Sequence, residues 1–442
     1  SLFKLLTYDK IRESTAFLTA IIFMTTYGIN YWVLNQGFTS WGTSLLPLCL
    51  IPLVDLKNHH FPIVKIALSM AVMTQIHTLT AMMLGLIYFP FFIDYARKQW
   101  GRALLELGKT VGLYVCLSIN VWISLFLINL GDQLKMPFTN PEMSEKAIDL
   151  GGAYWLHYPG NLRLLLIAGL LLNLVYWHKT RRFTKQLLIF SGIFFIFSTS
   201  LIPWDWLVAH QVPLISLIQF PFRFFAPFTV LFLFCLASLL QDLAGKRILF
   251  GGLLLLSVIS IGQSLQLLTH DLNQWDKQSL ASKHTFVRVS EAAARKSFYS
   301  KDLGKALKAV EKSSPDYLPI YHNDTKNKYV SYEKQILDNQ TNFSRTVKND
   351  QLVLSWQAKE VGRIQLPIVV YQNTKLSKKT REIKPLTLSN IGVPTIKQVA
   401  GRNTVRVRYT PPCYIAVVFA LCGLSWFATF LWCLYHFFTK TG

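Results

Sequence analysis

Ile248-Leu-Phe-Gly-Gly-Leu-Leu-Leu-Leu-Ser-Val-Ile-Ser-Ile-Gly-Gln-Ser-Leu-Gln-Leu-Leu268 runs without one charged residue. A bilayer core about 30 Å thick takes roughly 20 apolar residues as one helix, so this stretch is long enough to cross it. It has company. Ser14–Leu34, Val111–Leu130, Leu187–Ile202, Phe225–Leu240 and Cys413–Phe438 are equally free of charge. Of the 442 residues, 52% are hydrophobic and 15% charged, against roughly 25% charged in a soluble domain. Mean hydropathy is +0.32. The composition implies a polytopic α-helical membrane protein embedded in a lipid bilayer.

Apolar runs predict ten passes, near 14–34, 41–54, 64–77, 79–93, 110–130, 161–177, 186–202, 221–240, 247–268 and 412–438. Residues 62–94 read either as one long tilted helix or as two short ones turning near Gln75, His77 and Thr78. Lys and Arg in short loops mark the cytoplasmic side. The loops 178–185, 97–109 and 241–247 and the terminal Lys440 are basic. Keeping Ser1–Glu13, with Lys4, Lys10 and Arg12, on that side requires 62–94 to make two passes. The loops 131–160 and 203–219 and the segment 269–410 then face outward. Residue 1 is Ser, and Ser1–Glu13 lacks the order of a signal peptide, so further sequence is expected ahead of it.

Three parts follow: a multi-pass region over 1–268, an extracytoplasmic α+β domain over 269–410, and a C-terminal transmembrane helix over 411–442. The first half of the outer domain reads as helix, in Ser290-Glu-Ala-Ala-Ala-Arg-Lys296 and Lys301–Lys312. Its second half reads as a small β-sandwich, with strands at Leu352–Trp356, Ile364–Tyr371 and Thr404–Tyr409. The alternation Val405-Arg-Val-Arg408 puts both arginines on one solvated face. Residues 269–410 hold 25 Lys/Arg against 12 Asp/Glu, leaving +13 of the chain's +22. That surface is either simply solvated or attracted to an anionic cell-wall polymer. Nucleic acid is not an expected partner, since no recognition module is present. All six cysteines fall in the apolar segments and none in the outer domain. A secreted eukaryotic domain of this size is often disulfide-bonded, so a bacterial plasma membrane is the expected location.

Candidate chemistry gathers in Ser198-Thr-Ser-Leu-Ile-Pro-Trp-Asp-Trp206 and Ile218-Gln-Phe-Pro-Phe-Arg-Phe-Phe225. Pro221 suits a first helical turn. Arg223 two residues on would place a cation at a helix end that already carries partial positive charge. A ligand phosphate would satisfy both; snorkelling to water, or pairing with Asp205, is the plainer alternative. Asp205, the carboxylate of that loop, reads as a support for Arg223 or as a general base. Trp204 and Trp206 read as interface anchors. His77 sits within apolar sequence, where a histidine is a functional candidate or an interhelical hydrogen-bonding group. Tyr154, Trp155 and His157 could stack on a sugar or belong to a headgroup belt. No Walker A motif, G-x-S-x-G, dinucleotide fingerprint or His/Cys metal constellation occurs, so no cofactor or metal is assigned.

Leu217-Ile-Gln-Phe-Pro-Phe-Arg-Phe-Phe225 resembles the Q-F-P-W-R-F signature of a bacterial membrane family labelled 6-pyruvoyl-tetrahydropterin synthase-related, with Phe222 where that family has Trp. Ser-Thr-x-x-x-Pro-Trp over 198–204 and His77 fit the same family. Leu366-Pro-Ile-Val-Val-Tyr371, Asn390-Ile-Gly-Val-Pro394 and Ala400–Tyr409 resemble it and its YfhO-type relatives. The resemblance implies a GT-C-like glycosyltransferase fold and an outward-facing site using a polyprenyl-phosphate-linked sugar. Arg223 would hold the donor phosphate, with Gln219, His77, Trp204, Tyr154 and Trp155 around the substrate. The acceptor would be a wall polymer such as a teichoic acid, or a glycolipid. GT-C enzymes carry their catalytic carboxylate in the first external loop, whereas Asp9 and Glu13 fall on the inner side here. Either that loop precedes residue 1 or this chain lacks the carboxylate. A flippase for a lipid-linked wall precursor and a non-catalytic scaffold remain the alternatives.

Overall fold

The computed structural model describes residues 1–26, 29, 37–134, 139–148, 161–213, 215–243, 247–275, 277–281, 285–313, 315–321, 327–379, 381–384 and 386–441. The chain divides into two compact units. The first comprises Ser1–Val121, Thr139–Asp271 and Val418–Gly442; the second comprises Trp122–Phe138 and Leu272–Val417.

Among the described residues, five helices are long and apolar enough to cross a membrane: Thr78–Ala96, Trp100–Gly131, Pro221–Asp242, Arg247–Trp275 and Tyr414–Thr439. Glu13–Met24, Ile63–Ile76 and Leu164–Val175 are apolar but shorter. Among the described residues, five of the ten expected passes have a helix of full length. Most of the Trp100–Gly131, Arg247–Trp275 and Tyr414–Thr439 spans is left bare, with 11%, 22% and 17% buried. Phe427, Phe430, Leu254 and Leu255 stand exposed on them. A soluble protein does not expose contiguous apolar surface on this scale. The chain is a membrane protein.

The helix Phe225–Asp242 is the centre of the first unit, with an unbroken buried run from Phe228 to Leu239. A helix that is apolar all round needs apolar neighbours all round, and small residues let them close in. The Ser191 hydroxyl donates to the Phe228 carbonyl at 3.3 Å, and the Thr184 and Ser238 hydroxyls meet at 3.2 Å. Gly169 packs directly under the Phe232 ring.

Residues 62–94 fold back on themselves. Helix Ile63–Ile76 stops at His77, whose backbone is extended (φ −158°, ψ 102°), and Thr78–Ala96 begins at once. A Cβ placed on Gly85 would touch the Met70 methyl at 3.6 Å. In one continuous helix those residues would stand about 22 Å apart. Gln75, two residues before the break, pairs with Asn120 through bonds of 2.7 and 3.1 Å. Trp426 donates to the Leu117 carbonyl at 2.8 Å. Such polar side chains tie helices together where lipid offers no partner.

In the second unit, β3 (Ser344–Lys348), β4 (Gln351–Ala358), β6 (Thr374–Lys378), β7 (Arg381–Glu382) and β10 (Gly401–Tyr409) form one antiparallel sheet in the order β3-β4-β10-β6-β7. β5 (Gly362–Gln365), β8 (Thr387–Leu388) and β9 (Pro394–Gln398) form another, ordered β5-β9-β8. Leu354, Trp356, Leu376 and Val405 of the first share a core with Ile396 of the second. Arg406 and Arg408 alternate outward from Val405, as their spacing predicts. Two expectations need correction. The strand read over 364–371 ends at Gln365, because Pro367 has no N–H to give a ladder. The helix read over 301–312 covers only Gly304–Ala309. Its last residues, β2 (Val310–Lys312), pair with β1 (Thr285–Val287). Within this unit Asp132 accepts from the Gln372 N–H at 3.1 Å and from the Tyr321 hydroxyl at 3.2 Å. Burial, and then that carboxylate, push the Tyr321 phenol up to about 12.

Candidate functional site

The residues around Arg223 owe their placement to Pro221. Proline drives the preceding residue out of the helical region, and Phe220 is extended (φ −139°, ψ 108°). Gln219 before it takes a left-handed conformation, φ 59°. That conformation costs a side-chain-bearing residue on the order of 1–2 kcal/mol, and such strain concentrates at functional sites. The short helix Ile215–Ile218 thereby ends, and the 3-10 turn Pro221–Phe224 leads into the central helix. Arg223 thus sits in the 3-10 turn that opens the Pro221–Asp242 span, two residues ahead of the α-helix proper.

Arg223 Nη1 donates to the Ile218 carbonyl at 3.1 Å, and the guanidinium lies over the Phe220 ring, 4.9 Å from its centroid. Carbonyls at a helix C-terminus and aromatic faces both favour a cation. Part of the electrostatic discomfort expected of this arginine is therefore relieved within the protein. His77 lies within electrostatic range of Arg223. Its Nδ1 meets the Thr80 hydroxyl at 2.7 Å. Gly42 comes close beside them: a Cβ there would lie 3.1 Å from Thr80 Oγ1 and 3.4 Å from His77 Cβ. The structure thus packs His77 against Thr80 and Gly42.

Asp205 has a different employment. Its Oδ1 accepts from the Ser144 backbone N–H at 2.8 Å, and its Oδ2 accepts from the Ser144 hydroxyl. The same loop is held again where the Ile148 N–H donates to the Ser198 carbonyl at 2.7 Å. Trp204 is not an interface anchor. It is 1% exposed, donates from Nε1 to the Thr199 carbonyl at 2.9 Å, and stacks on Phe224 at 6.2 Å and 14°. Trp206 does face outward, stacked on His210 at 4.2 Å. Tyr154, Trp155 and His157 lie outside the described residues.

A cavity of about 740 Å³ runs beside this cluster. Its wall carries Trp204, Ile218 and Phe224 at one end and Asp94 and Arg97 at the other, with Phe190, Ile193, Phe194 and Phe197 between. Its size suits a small-molecule site, and its lining suits hydrocarbon. Among the described residues, no group of His, Cys, Asp and Glu could hold a metal ion.

No family model, curated protein or solved structure matches the chain. Sequence reasoning missed Ser144 and Gly42, ordinary residues whose role exists only through contacts distant in the chain, and Thr80, which bonds His77 three residues before it across the helix break. The strain at Gln219 did have a signal, since Phe220-Pro221 forces an abrupt turn after a helical segment.

Proposed function

We propose that this chain is a GT-C-type membrane glycosyltransferase using a polyprenyl-phosphate-linked sugar. The acceptor would be a cell-wall polymer or glycolipid on the outer face of a bacterial plasma membrane. The observation that carries the reading is the apolar cavity that ends at Ile218, whose carbonyl accepts from Arg223, and at Phe224, the next residue in the chain. A polyprenyl chain would lie along the aromatic wall, and its phosphate would come to the guanidinium. Arginine presents a planar fork suited to phosphate, and here the Phe220 ring and the Ile218 carbonyl hold that fork in place. The phosphate is also the leaving group, so a cation held there would stabilise charge as it develops. Residues 269–410, with their +13 excess from 25 Lys/Arg against 12 Asp/Glu, would face outward and gather a polyanionic acceptor.

One observation favours a second reading, a flippase for a lipid-linked wall precursor. The cavity spans from Trp204 to Arg97, and Asp205 is already bound to Ser144. A carrier needs such a path and no catalytic base.

The two are separated by reconstituting the full chain in vesicles with a fluorescent polyprenyl-phosphate sugar. Transferase activity gives a glycosylated acceptor; transport gives quenchable lipid on the far leaflet without product. In either assay Arg223→Lys should lose most activity and Arg223→Ala nearly all, at normal expression and insertion. Full activity of Arg223→Ala would end the donor-phosphate reading.

A further inference from the structure

A second cavity, of about 540 Å³ and different in character, adjoins the far end of the first. Lys57, His59, Arg97, Lys98, Arg181 and Arg182 line it, and the two cavities share Asp94, Arg97 and Gln186 in their walls. Arg182 pairs with Asp94 at 2.7 Å, and Arg97 approaches the same carboxylate at 3.7 Å. Lys57 pairs with Asp9 and Arg181 with Asp242, each at 2.5 Å. Lys98 donates to His59 Nε2 at 3.2 Å. Five fixed cations therefore face three carboxylates in these contacts, an excess of two positive charges. The Arg97 and Arg182 side chains are 67% and 74% exposed, so a headgroup can reach both. The adjoining groove is open along its flank, where Leu86, Phe89 and Ile193 are exposed.

We propose that these two cavities together bind one anionic phospholipid, with its phosphate among the arginines and lysines and an acyl chain in the groove. Charge selects the headgroup. Basic pockets between membrane helices attract anionic lipid headgroups, and each Lys or Arg near a charged bilayer surface adds appreciably to the attraction. Guanidinium pairs suit a phosphodiester, and its single negative charge reduces the local excess without displacing an existing ion pair. The continuous apolar wall selects a lipid over a free anion. The headgroup end of this site is separate from Arg223, which lines neither cavity, but the acyl chain and the polyprenyl chain proposed above would occupy the same groove and compete for it.

The test uses the full chain in detergent, with native mass spectrometry to count bound lipid and thermal unfolding to read its effect. Phosphatidylglycerol should add as one retained molecule and raise the unfolding temperature. Phosphatidylcholine with the same acyl chains should do neither, and inorganic phosphate at millimolar concentration should have little effect. Arg97→Gln/Lys98→Gln removes two charges while leaving the Arg182–Asp94 pair. It should weaken phosphatidylglycerol binding about thirtyfold and leave the lipid-free unfolding temperature unchanged. Ile193→Trp, or Leu86→Trp should that variant not fold, fills the groove and should displace the lipid while every cation remains. Arg223→Ala should bind phosphatidylglycerol as the parent does, which separates the headgroup position proposed here from the donor phosphate. Equal retention of phosphatidylcholine, equal protection by inorganic phosphate, or unchanged affinity in the double variant would each overturn the proposal.

Discussion

Asp205 and Ser144 are joined by two hydrogen bonds, one from the serine N–H at 2.8 Å and one from its hydroxyl. The aspartate thereby holds the 3-10 turn Met143–Lys146 against the start of Trp204–Ala209. This arrangement makes a structural role testable against a catalytic one. Asn at position 205 can still accept from the backbone N–H and can donate to the serine oxygen, whereas Ala can do neither. Asp205→Asn should therefore keep most activity and stability. Asp205→Ala should lose about 0.5–1.5 kcal/mol, the net worth of hydrogen bonds that water can partly replace, and Ser144→Ala a smaller share. Activity and thermal unfolding measured side by side decide the matter. If Asp205→Asn is as inactive as Arg223→Ala yet fully stable, Asp205 is the base.

Gly42 predicts a coupling across the helix break. A methyl group on it would press on Thr80 Oγ1 at 3.1 Å, the atom bonded to His77 Nδ1. Gly42→Ala should cost about 1–2 kcal/mol, the ordinary penalty for overpacking. Removing the obstruction should remove most of that cost, so in a Thr80→Ala background the same substitution should be close to neutral. A double-mutant cycle on unfolding reads this difference directly. A cost that persists undiminished without the Thr80 hydroxyl would place the crowding elsewhere.

The membrane character of the chain was legible in the sequence because it depends on length and charge alone, and Ile248–Leu268 is enough to raise it. The turn at His77 was legible for a related reason, since basic loops have to fall on one side. The sandwich strands showed through their alternation, except where Pro367 ended one early. The arrangement within the membrane was not legible. Trp204 carries the same local pattern whether it anchors at an interface or stacks on Phe224, and apolar neighbours do not tell the two apart. Asp205 likewise reads as a partner for Arg223 by proximity in sequence. Its actual partner, Ser144, belongs to another loop, and no local propensity encodes that contact.

Orientation gives the next prediction. Lys179 and Thr346 are both exposed, and under the proposed topology they would lie on opposite sides of the membrane. In intact cells an impermeant maleimide should label Thr346→Cys and should reach Lys179→Cys only after the membrane is opened. The parent chain, with Cys116 and Cys413 exposed, supplies the background. Labelling of Lys179→Cys in sealed cells would invert the assigned topology and move residues 269–410 to the inside.

The last prediction concerns Gly392, in the Asn390-Ile-Gly-Val-Pro394 segment. Its φ is +76°, and a Cβ there would lie 2.8 Å from Pro319 Cγ and 2.9 Å from the Val370 carbonyl oxygen. The backbone is fixed at both ends, because the Gly392 N–H donates to Ser389 at 3.0 Å and its carbonyl accepts from Val370 at 2.8 Å. Neither the chain nor the carbonyl can move aside without breaking a bond. Gly401 shares the left-handed geometry, with φ +90°, but has nothing within 4 Å of a built Cβ. The pair therefore separates the two penalties. Gly401→Ala should pay only the conformational cost, about 1–2 kcal/mol. Gly392→Ala should add an overpacking term of about 1–3 kcal/mol to it. Limited proteolysis of the full chain, followed at sites in 285–409 over a temperature series, measures both. Equal sensitivity of the two variants would mean that the Val370–Gly392 contact contributes nothing beyond backbone strain.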